Sequence, residues 1–293
     1  MMFPRVLCAR TLIVFAFLIG WSVPRVEAAT ACVWKVTAPN GSVLFLGGSM
    51  HALRPSDYPL PAAYNRAFDA SARLVFEDDP NRTRQSQKMF LKLARYGRAD
   101  SLQNHVHPRT YDYLRRLFKL VGVPEEQYSE FRPWALALLL QSGGAHGLSG
   151  DLGIEGFLQK RANANSKPIS GLESTREHIE VFSGLTERQS EALLLIMFIP
   201  KEKGDDGGFD QMARAWRQGD VETLTQGIHE GFREFPAMGE RILGARNRAW
   251  MPKIEGYLRS GQTYFVVVGA GHMGGRDGLL PLLRARGYKV EQL

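Results

Sequence analysis

β-forming segments stand near the two ends of the sequence, and helix-forming segments fill the middle. Residues 33–47, VWKVTAPNGSVLFLG, contain two β-rich runs on either side of Asn40-Gly41, a dipeptide typical of tight hairpin turns. Towards the other end, TYFVVVG and YKVEQL are β-rich, with the helical segment GLLPLLRARG between them. Since an isolated strand pair is only marginally stable, we expect the N-terminal and C-terminal runs to meet in one sheet.

The region from about residue 83 to 260 is predicted to be mainly helical, because its apolar residues recur at helical spacing. Two further short strands are predicted, RLVFEDD before this region and part of KPISGLES within it. The predicted fold class is therefore α/β (α+β), with terminal β-segments forming one mixed sheet and a large helical insertion packed over it. No repeat or flexible linker divides the sequence, so residues 29–293 are predicted to form a single domain.

Residues 1–28 resemble a signal peptide. Arg5 and Arg10 precede TLIVFAFLIGW, an apolar run that is too short to cross a bilayer, and VPRVEA then offers small residues for cleavage before Ala29. This pattern predicts an exported protein, periplasmic or secreted, with an uncleaved N-terminal membrane anchor as the alternative. No second apolar segment is long enough for an integral membrane span.

The net charge is +7 over 293 residues, and the Lys and Arg residues are spread along the chain without a dense basic block. Nucleic-acid-binding proteins usually concentrate their positive charge on one surface, so no nucleic-acid partner is expected. The oligomeric state stays open.

The segment YFVVVGAGHMGG permits two interpretations. Gly269, Gly271 and Gly274 follow a predicted strand with the spacing G-x-G-x-x-G, which is typical of dinucleotide-binding turns. His272, however, puts a bulky side chain inside the turn, and an exported protein has little access to nicotinamide cofactors. We therefore favour a loop that presents His272.

A second G-x-x-H pattern supports the histidine-presenting loop. GGSMH ends at His51 and GAGH ends at His272, and each follows a β-rich run, while Glu77 stands at the end of a third. Open α/β sheets place their ligands at the carboxyl ends of strands, and two imidazoles with a carboxylate commonly hold a divalent metal. The sequence thus predicts a metal site formed by His51, Glu77 and His272. The alternative for each histidine is an ordinary turn residue.

The stretches around these motifs resemble the TraB/GumN family, which includes the animal Tiki metalloproteases and bacterial pheromone-shutdown proteins. They are FLGGSMHALRPSDYPLPAAYNRAFDASARLVFEDD, then GIEGFLQKRANANSKPISGLEST, then RNRAWMPKIEGYLRSGQTYFVVVGAGHMGGRDGLLPLLRARGYKV. The resemblance covers nearly all of the chain after the signal peptide. Many relatives have Thr or Ser and then Ile before the first histidine, where this chain has the similar pair Ser49-Met50.

The resemblance implies a metal-dependent hydrolase, a Tiki-like metalloprotease that cleaves a peptide or protein with a metal-activated water. The metal would be Mn²⁺, Co²⁺ or Zn²⁺, bound by His51 and His272. Glu77 would be a third ligand or the general base, and Arg246 a catalytic residue that stabilises an oxyanion or orients a substrate carboxylate. The main alternative is a non-catalytic metal- or ligand-binding accessory protein of the cell envelope or of polysaccharide export.

Three further residues are candidates for the pocket. Asn247 follows Arg246 directly and could help in positioning. Glu155 and Glu173 would line the pocket or add a carboxylate ligand, or else each would cap a helix. The remaining histidines receive no such role: NHVHP is interpreted as a solvated turn around His105, and the isolated histidines are left unassigned.

Overall fold

A computed structural model of the protein describes residues 30–80, 84–142, 148–196, 198 and 207–293. The predicted signal peptide lies outside the described residues. Within these ranges, none of the helices has both the length and the apolar character needed to cross a membrane.

A mixed sheet of six strands forms the centre of the fold, in the order β4-β3-β5-β2-β1-β6. β2, β3, β4 and β5 are parallel, whereas β1 runs antiparallel to both β2 and β6. The predicted meeting of N-terminal and C-terminal strands is confirmed, because β5 pairs with β2 and β6 pairs with β1. The strands are β1 (Val33–Thr37), β2 (Val43–Ser49), β3 (Arg73–Asp78), β4 (Ile169–Glu173), β5 (Tyr264–Gly269) and β6 (Lys289–Gln292).

The predicted hairpin joins β1 to β2. Thr37 pairs with Val43, and Gly41 between them has φ of 85°, a left-handed conformation that glycine adopts at little cost. The Asn40 side chain accepts a hydrogen bond from the backbone N–H of Ser42, which closes the turn.

Helices cover the sheet and form the insertion between its halves. They are α1 (Ala62–Asp69), α2 (Arg84–Ala94), α3 (Pro108–Leu120), α4 (Pro133–Ser142), α5 (Ile154–Ala164), α6 (Thr175–Ser183), α7 (Glu187–Ile196), α8 (Gly207–Gln218), α9 (Val221–Gly231), α10 (Pro236–Gly239), α11 (Ala245–Arg259) and α12 (Leu279–Ala285).

Two hydrophobic clusters stabilise these layers. The first surrounds the sheet and includes the fully buried β5 residues Phe265, Val266 and Val268, with α1, α5, α8 and α11 packed against it. The second lies within the insertion, where side chains of α2, α3, α4, α6 and α7 pack together. A mixed sheet with a helical insertion was the prediction, and it is confirmed.

A π-helical turn, Glu240–Gly244, joins α10 directly to α11. π-turns are rare and often occur at functional sites, because the extra residue redirects the side chains that follow. The side chains that follow this π-turn are those of Arg246 and Asn247, both buried in the first turn of α11.

His105 lies in a turn, as predicted, but its side chain is half-buried and paired rather than solvated. Its Nε2 lies 2.7 Å from Oδ2 of Asp100 and its Nδ1 lies 2.5 Å from Oε1 of Glu187. The imidazole also stacks on the ring of Tyr96 at 4.2 Å. The histidine therefore links the loop before α3 to the start of α7.

The two carboxylates make the contribution of His105 to stability pH-dependent. Burial lowers the pKa of His105, but hydrogen bonds to Glu187 and Asp100 outweigh it and raise that pKa above its ordinary value. The contribution is then complete below the unfolded-state pKa of about 6.5 and is lost as pH rises through the folded-state pKa.

We expect His105→Gln to lower the free energy of unfolding by on the order of 1 kcal/mol at pH 5.5 and by less at pH 9. Urea denaturation at the two pH values measures the difference. His229→Gln, at an exposed position of α9, is the control. A loss that is equal at both pH values would contradict the role given to the carboxylates.

Candidate functional site

The candidate site lies where four parallel strands end. β2, β3, β4 and β5 run in the same direction, so their carboxyl ends share one edge of the sheet. Glu77 and Glu173 stand at the ends of β3 and β4, and His51 and His272 follow β2 and β5 after short turns. Four separate stretches of sequence thus bring their candidate residues to one place.

Arg246 lies at the centre of the acidic part of this site. Its Nη2 donates hydrogen bonds of 2.6 Å to Oε2 of Glu77 and 2.6 Å to Oε1 of Glu173. Its Nε donates to Oε2 of Glu173 at 3.2 Å, and its guanidinium lies 4.6 Å from the ring centre of Trp250. Only 6% of the arginine is exposed, so one buried cation is shared by two buried carboxylates.

The arginine balances the charge of both acids. Burial by itself would raise the pKa of Glu77 and of Glu173. The positive charge of Arg246, with neighbouring histidines, outweighs burial at Glu77 and holds its pKa well below its usual range. At Glu173, hydrogen bonds with His178 and Arg246 outweigh burial and lower the pKa. Both side chains are therefore carboxylates at neutral pH.

Glu173 is not a helix cap. It is the last residue of β4, and its Oε2 also accepts a hydrogen bond of 3.2 Å from Nε1 of Trp250. The cap of α6 is made by Ser174 and Glu177, whose side chains and backbone N–H groups bond reciprocally. The structure therefore supports Glu173 as a residue of the pocket and not as a helix cap.

His272 is held as a neutral imidazole. Its Nδ1 lies 2.7 Å from Oδ1 of Asn247, and Nδ2 of Asn247 donates to the carbonyl of Asp277 at 2.8 Å, which sets the orientation of the amide. Nδ1 therefore carries the proton, and Nε2, on the site side, is the acceptor that lies 3.3 Å from Nη1 of Arg246. Burial lowers the pKa of His272 to about 3, and the residue is 3% exposed.

His51 occupies the open side of the site. Its side chain is 51% exposed, and its Nδ1 lies 2.9 Å from Oε1 of Glu155. The same carboxylate oxygen accepts a hydrogen bond of 2.5 Å from the Ser49 hydroxyl. The negative charge of Glu155 raises the pKa of His51 to about 9. Glu155 thus contacts the site through His51, although it stands in the first turn of α5.

Gly269 forms the floor between the three predicted metal ligands. Its N–H donates a hydrogen bond of 2.7 Å to Oε1 of Glu77. A methyl group added to Gly269 would lie 3.2 Å from that oxygen, 3.6 Å from Nε2 of His51 and 3.6 Å from Cδ2 of His272. Because Gly269 has no side chain, an open space remains here, and Glu77, His51 and His272 all border it.

The other glycines of this turn serve packing. A Cβ atom on Gly271 would lie 2.6 Å from the Ile228 side chain, and one on Gly274 would lie 2.2 Å from Oγ1 of Thr225. Side chains of α9 therefore occupy the space beside the turn. That packing accounts for both glycines without a nucleotide and agrees with a loop that presents His272.

His178 is a site residue that the sequence did not reveal. One ligand atom each of Glu77, Glu173 and His178 lies within 4.8 Å of the others, a grouping that could hold a metal ion. Nη2 of Arg246, however, already lies 2.6 Å from each carboxylate and 3.2 Å from Nδ1 of His178. The guanidinium fills the cation position of this group. Only the fold, which puts the start of α6 beside Arg246, distinguishes His178 from an isolated histidine.

The sequence model of the TraB/PrgY/gumN family matches residues 32–292. A comparison with curated protein sequences finds no match. The match spans all six strands and every residue of the candidate site. The chain therefore belongs to the TraB/PrgY/gumN family.

Proposed function

We propose that this protein is an exported metal-dependent hydrolase, a Tiki-like metalloprotease that acts on a peptide or protein substrate. The observation that carries the proposal is the convergence of His51, Glu77 and His272 over the bare backbone of Gly269. Export is inferred from the signal-like residues 1–28, and the substrate class from the resemblance.

Two of the three donors, His272 and Glu77, are spaced for a shared divalent metal. Nε2 of His272 and Oε1 of Glu77 are 3.6 Å apart, close to the separation of about 3.4 Å between two ligands of a tetrahedral ion bound at about 2.1 Å. Asn247 and Glu155 hold the Nδ1 atoms of the two histidines, so both Nε2 atoms lie on the site side. Metal-binding histidines typically have such outer acceptors. Metal binding would release the Nε2 proton of His51 and replace the contact of Arg246 with Nε2 of His272. Mn²⁺, Co²⁺ or Zn²⁺ suits this combination of imidazole and carboxylate.

When bound, such an ion would acidify a water molecule and polarise a peptide carbonyl. The protein's own contribution starts with Glu77, whose Oε1 is fixed by the N–H of Gly269 and whose Oε2 is fixed by Arg246. This double restraint favours a ligand over a general base, because a base must accept and release a proton at an oxygen that is free to do so. A substrate would approach beside His51, since it is the half-exposed member of the set.

Arg246 positions Glu77 in this proposal and does not contact the substrate. Its guanidinium has five N–H bonds. Four have oxygen acceptors in Glu77, Glu173 and the backbone carbonyl of Ile242, and the fifth faces Nε2 of His272 at 3.3 Å. No donor is left to stabilise an oxyanion, so the arginine acts through the carboxylate.

We expect the protein to bind about one Co²⁺ or Mn²⁺ ion per chain, and His51→Gln and His272→Gln each to weaken binding at least about 100-fold. Loss of an inner ligand should exceed the 10–100-fold effect of outer partners. Elemental mass spectrometry and calorimetric titration measure metal content and affinity, with His229→Gln as the control. Hydrolysis of a peptide library should require the metal and stop in both variants.

Two outcomes would redirect the proposal. Peptide hydrolysis that persists after complete removal of metal would refute a metalloprotease. Full metal binding without turnover of any library peptide would assign the protein to the accessory, non-catalytic alternative.

A further inference from the structure

The start of α5 packs directly against the loop that carries His51. The N–H of Ile154 donates a hydrogen bond of 3.1 Å to the backbone carbonyl of Met50. A Cβ atom on Gly153 would lie 2.2 Å from the backbone oxygen of His51. The two backbones therefore touch immediately beside the exposed histidine of the site.

Gly153 is required here by space and not by its own conformation. Its φ of −59° and ψ of 157° are accessible to any residue. The nearest obstacle to a side chain is a carbonyl oxygen, which cannot move aside without displacing the chain at His51. Any larger residue would consequently push the histidine loop away from α5.

Ser49 and Glu155 connect the same helix to the sheet. Ser49 is the buried last residue of β2, and its pairing with Gly269 of β5 fixes its position. Its hydroxyl donates to the Oε1 atom of Glu155 that also faces Nδ1 of His51. The two hydrogen bonds form a bridge from the rigid strand end, through the carboxylate, to the half-exposed imidazole.

We infer that residues 153–155, together with Ser49, form a positioning element that sets the orientation of His51 and directs its Nε2 into the site. Ser49, Gly153 and Glu155 are positioning residues, since each acts through His51. The inference rests on the proposed role of His51 as a ligand, but the orientation of the imidazole is measurable in the metal-free protein.

The test compares Gly153→Ala, Glu155→Leu and Ser49→Ala with two controls. Gly256→Ala is the matched glycine control, because a Cβ atom there meets nothing within 4 Å. Ser49→Thr restores the hydroxyl and should rescue Ser49→Ala. The first measurement is the nitrogen-15 spectrum of the histidine rings without metal, in which the Nδ1–H signal of His51 is assigned by its absence from His51→Gln.

We expect the Nδ1–H signal of His51 to be retained in wild type, Gly256→Ala and Ser49→Thr, and to be shifted or lost in the other three variants. The second measurement is Co²⁺ affinity by calorimetry, which should fall about 10–100-fold in those three. Thermal unfolding of each variant checks that it is folded. If Gly153→Ala does not fold, Ser49→Ala and its Thr rescue decide the question.

An unchanged His51 signal in folded Gly153→Ala, Glu155→Leu and Ser49→Ala would overturn the inference. A wild type that binds no Co²⁺ would refute the proposed function, whereas the ring spectra would still decide whether α5 orients His51. A signal that is lost in Gly256→Ala as well would also count against the inference, because the effect would then not be specific to the contact at Gly153.

Discussion

Replacement of Arg246 by methionine is expected to lower the free energy of unfolding by about 3–5 kcal/mol at neutral pH, the usual consequence of removing one partner from a buried ion pair. Glu77 and Glu173 would keep their burial and lose the cation that they share. Methionine preserves most of the volume, so the cost would be electrostatic. Urea denaturation of the two proteins measures the difference.

The cost should depend on pH with a definite sign. In the wild type the pKa of each carboxyl group is depressed, so its stabilisation is present above the unfolded-state pKa and is lost as pH falls through the folded-state pKa. Without Arg246, burial would raise the pKa values of both carboxyl groups. At acid pH they would then become protonated, which would remove part of the variant's loss of stability. The stability gap between Arg246→Met and wild type should therefore narrow as pH falls towards 4.

Arg248→Met is the matched control for this prediction. Arg248 stands two positions further along α11 and pairs with Glu240 and Asp277 at the surface, so its loss should leave the unfolding midpoint nearly unchanged. Similar effects of the two substitutions, or a gap for Arg246→Met that stays constant with pH, would contradict the account of Arg246 as the shared counter-charge.

Replacement of Trp216 by alanine is expected to cost about 3–5 kcal/mol of stability, typical of a large aromatic side chain removed from a core. Trp216 is fully buried in α8. Its Nε1 donates to the carbonyl of Gly48 at 2.8 Å and lies 2.7 Å from the hydroxyl of Tyr64. Alanine would leave a cavity and remove a donor from both oxygens, and chemical denaturation measures the loss.

Trp216→Phe separates the two contributions to this effect. Phenylalanine keeps much of the packing but loses the N–H together with part of the indole ring, so it should cost about 1–3 kcal/mol, less than alanine. Gly48 directly precedes Ser49 in β2, so both variants should also disturb the end of the strand that carries His51. A loss below about 1 kcal/mol in Trp216→Ala would contradict the role of this side chain in joining α8 to the sheet.

Local sequence patterns predicted much of this fold. Asn40-Gly41 marked the hairpin, and alternating or continuous apolar runs marked the strands, because turn chemistry and side-chain periodicity are properties of neighbouring residues. Strand ends also located His51, Glu77 and His272, since parallel strands bring their carboxyl ends to one edge.

Contacts between distant segments could not be predicted in this way. The order of the strands, the bidentate contact of Arg246 with Glu173 and the participation of His178 depend on which segments pack together. The helical pattern around Arg246 did not disclose the π-turn that immediately precedes its helix. Gly153 resembles any glycine before a helix until the carbonyl of His51 is placed beside it.

The position of β5 in the sheet sets an order of assembly. β5 lies between β2 and β3 and pairs with both, yet it follows both in the sequence, after the whole helical insertion. Long-range parallel pairing forms slowly, because a large loop must close before any contact stabilises it. A growing chain therefore holds His51 and Glu77 on strands without their common neighbour until β5 has been made, so the site forms only after the helical insertion is in place.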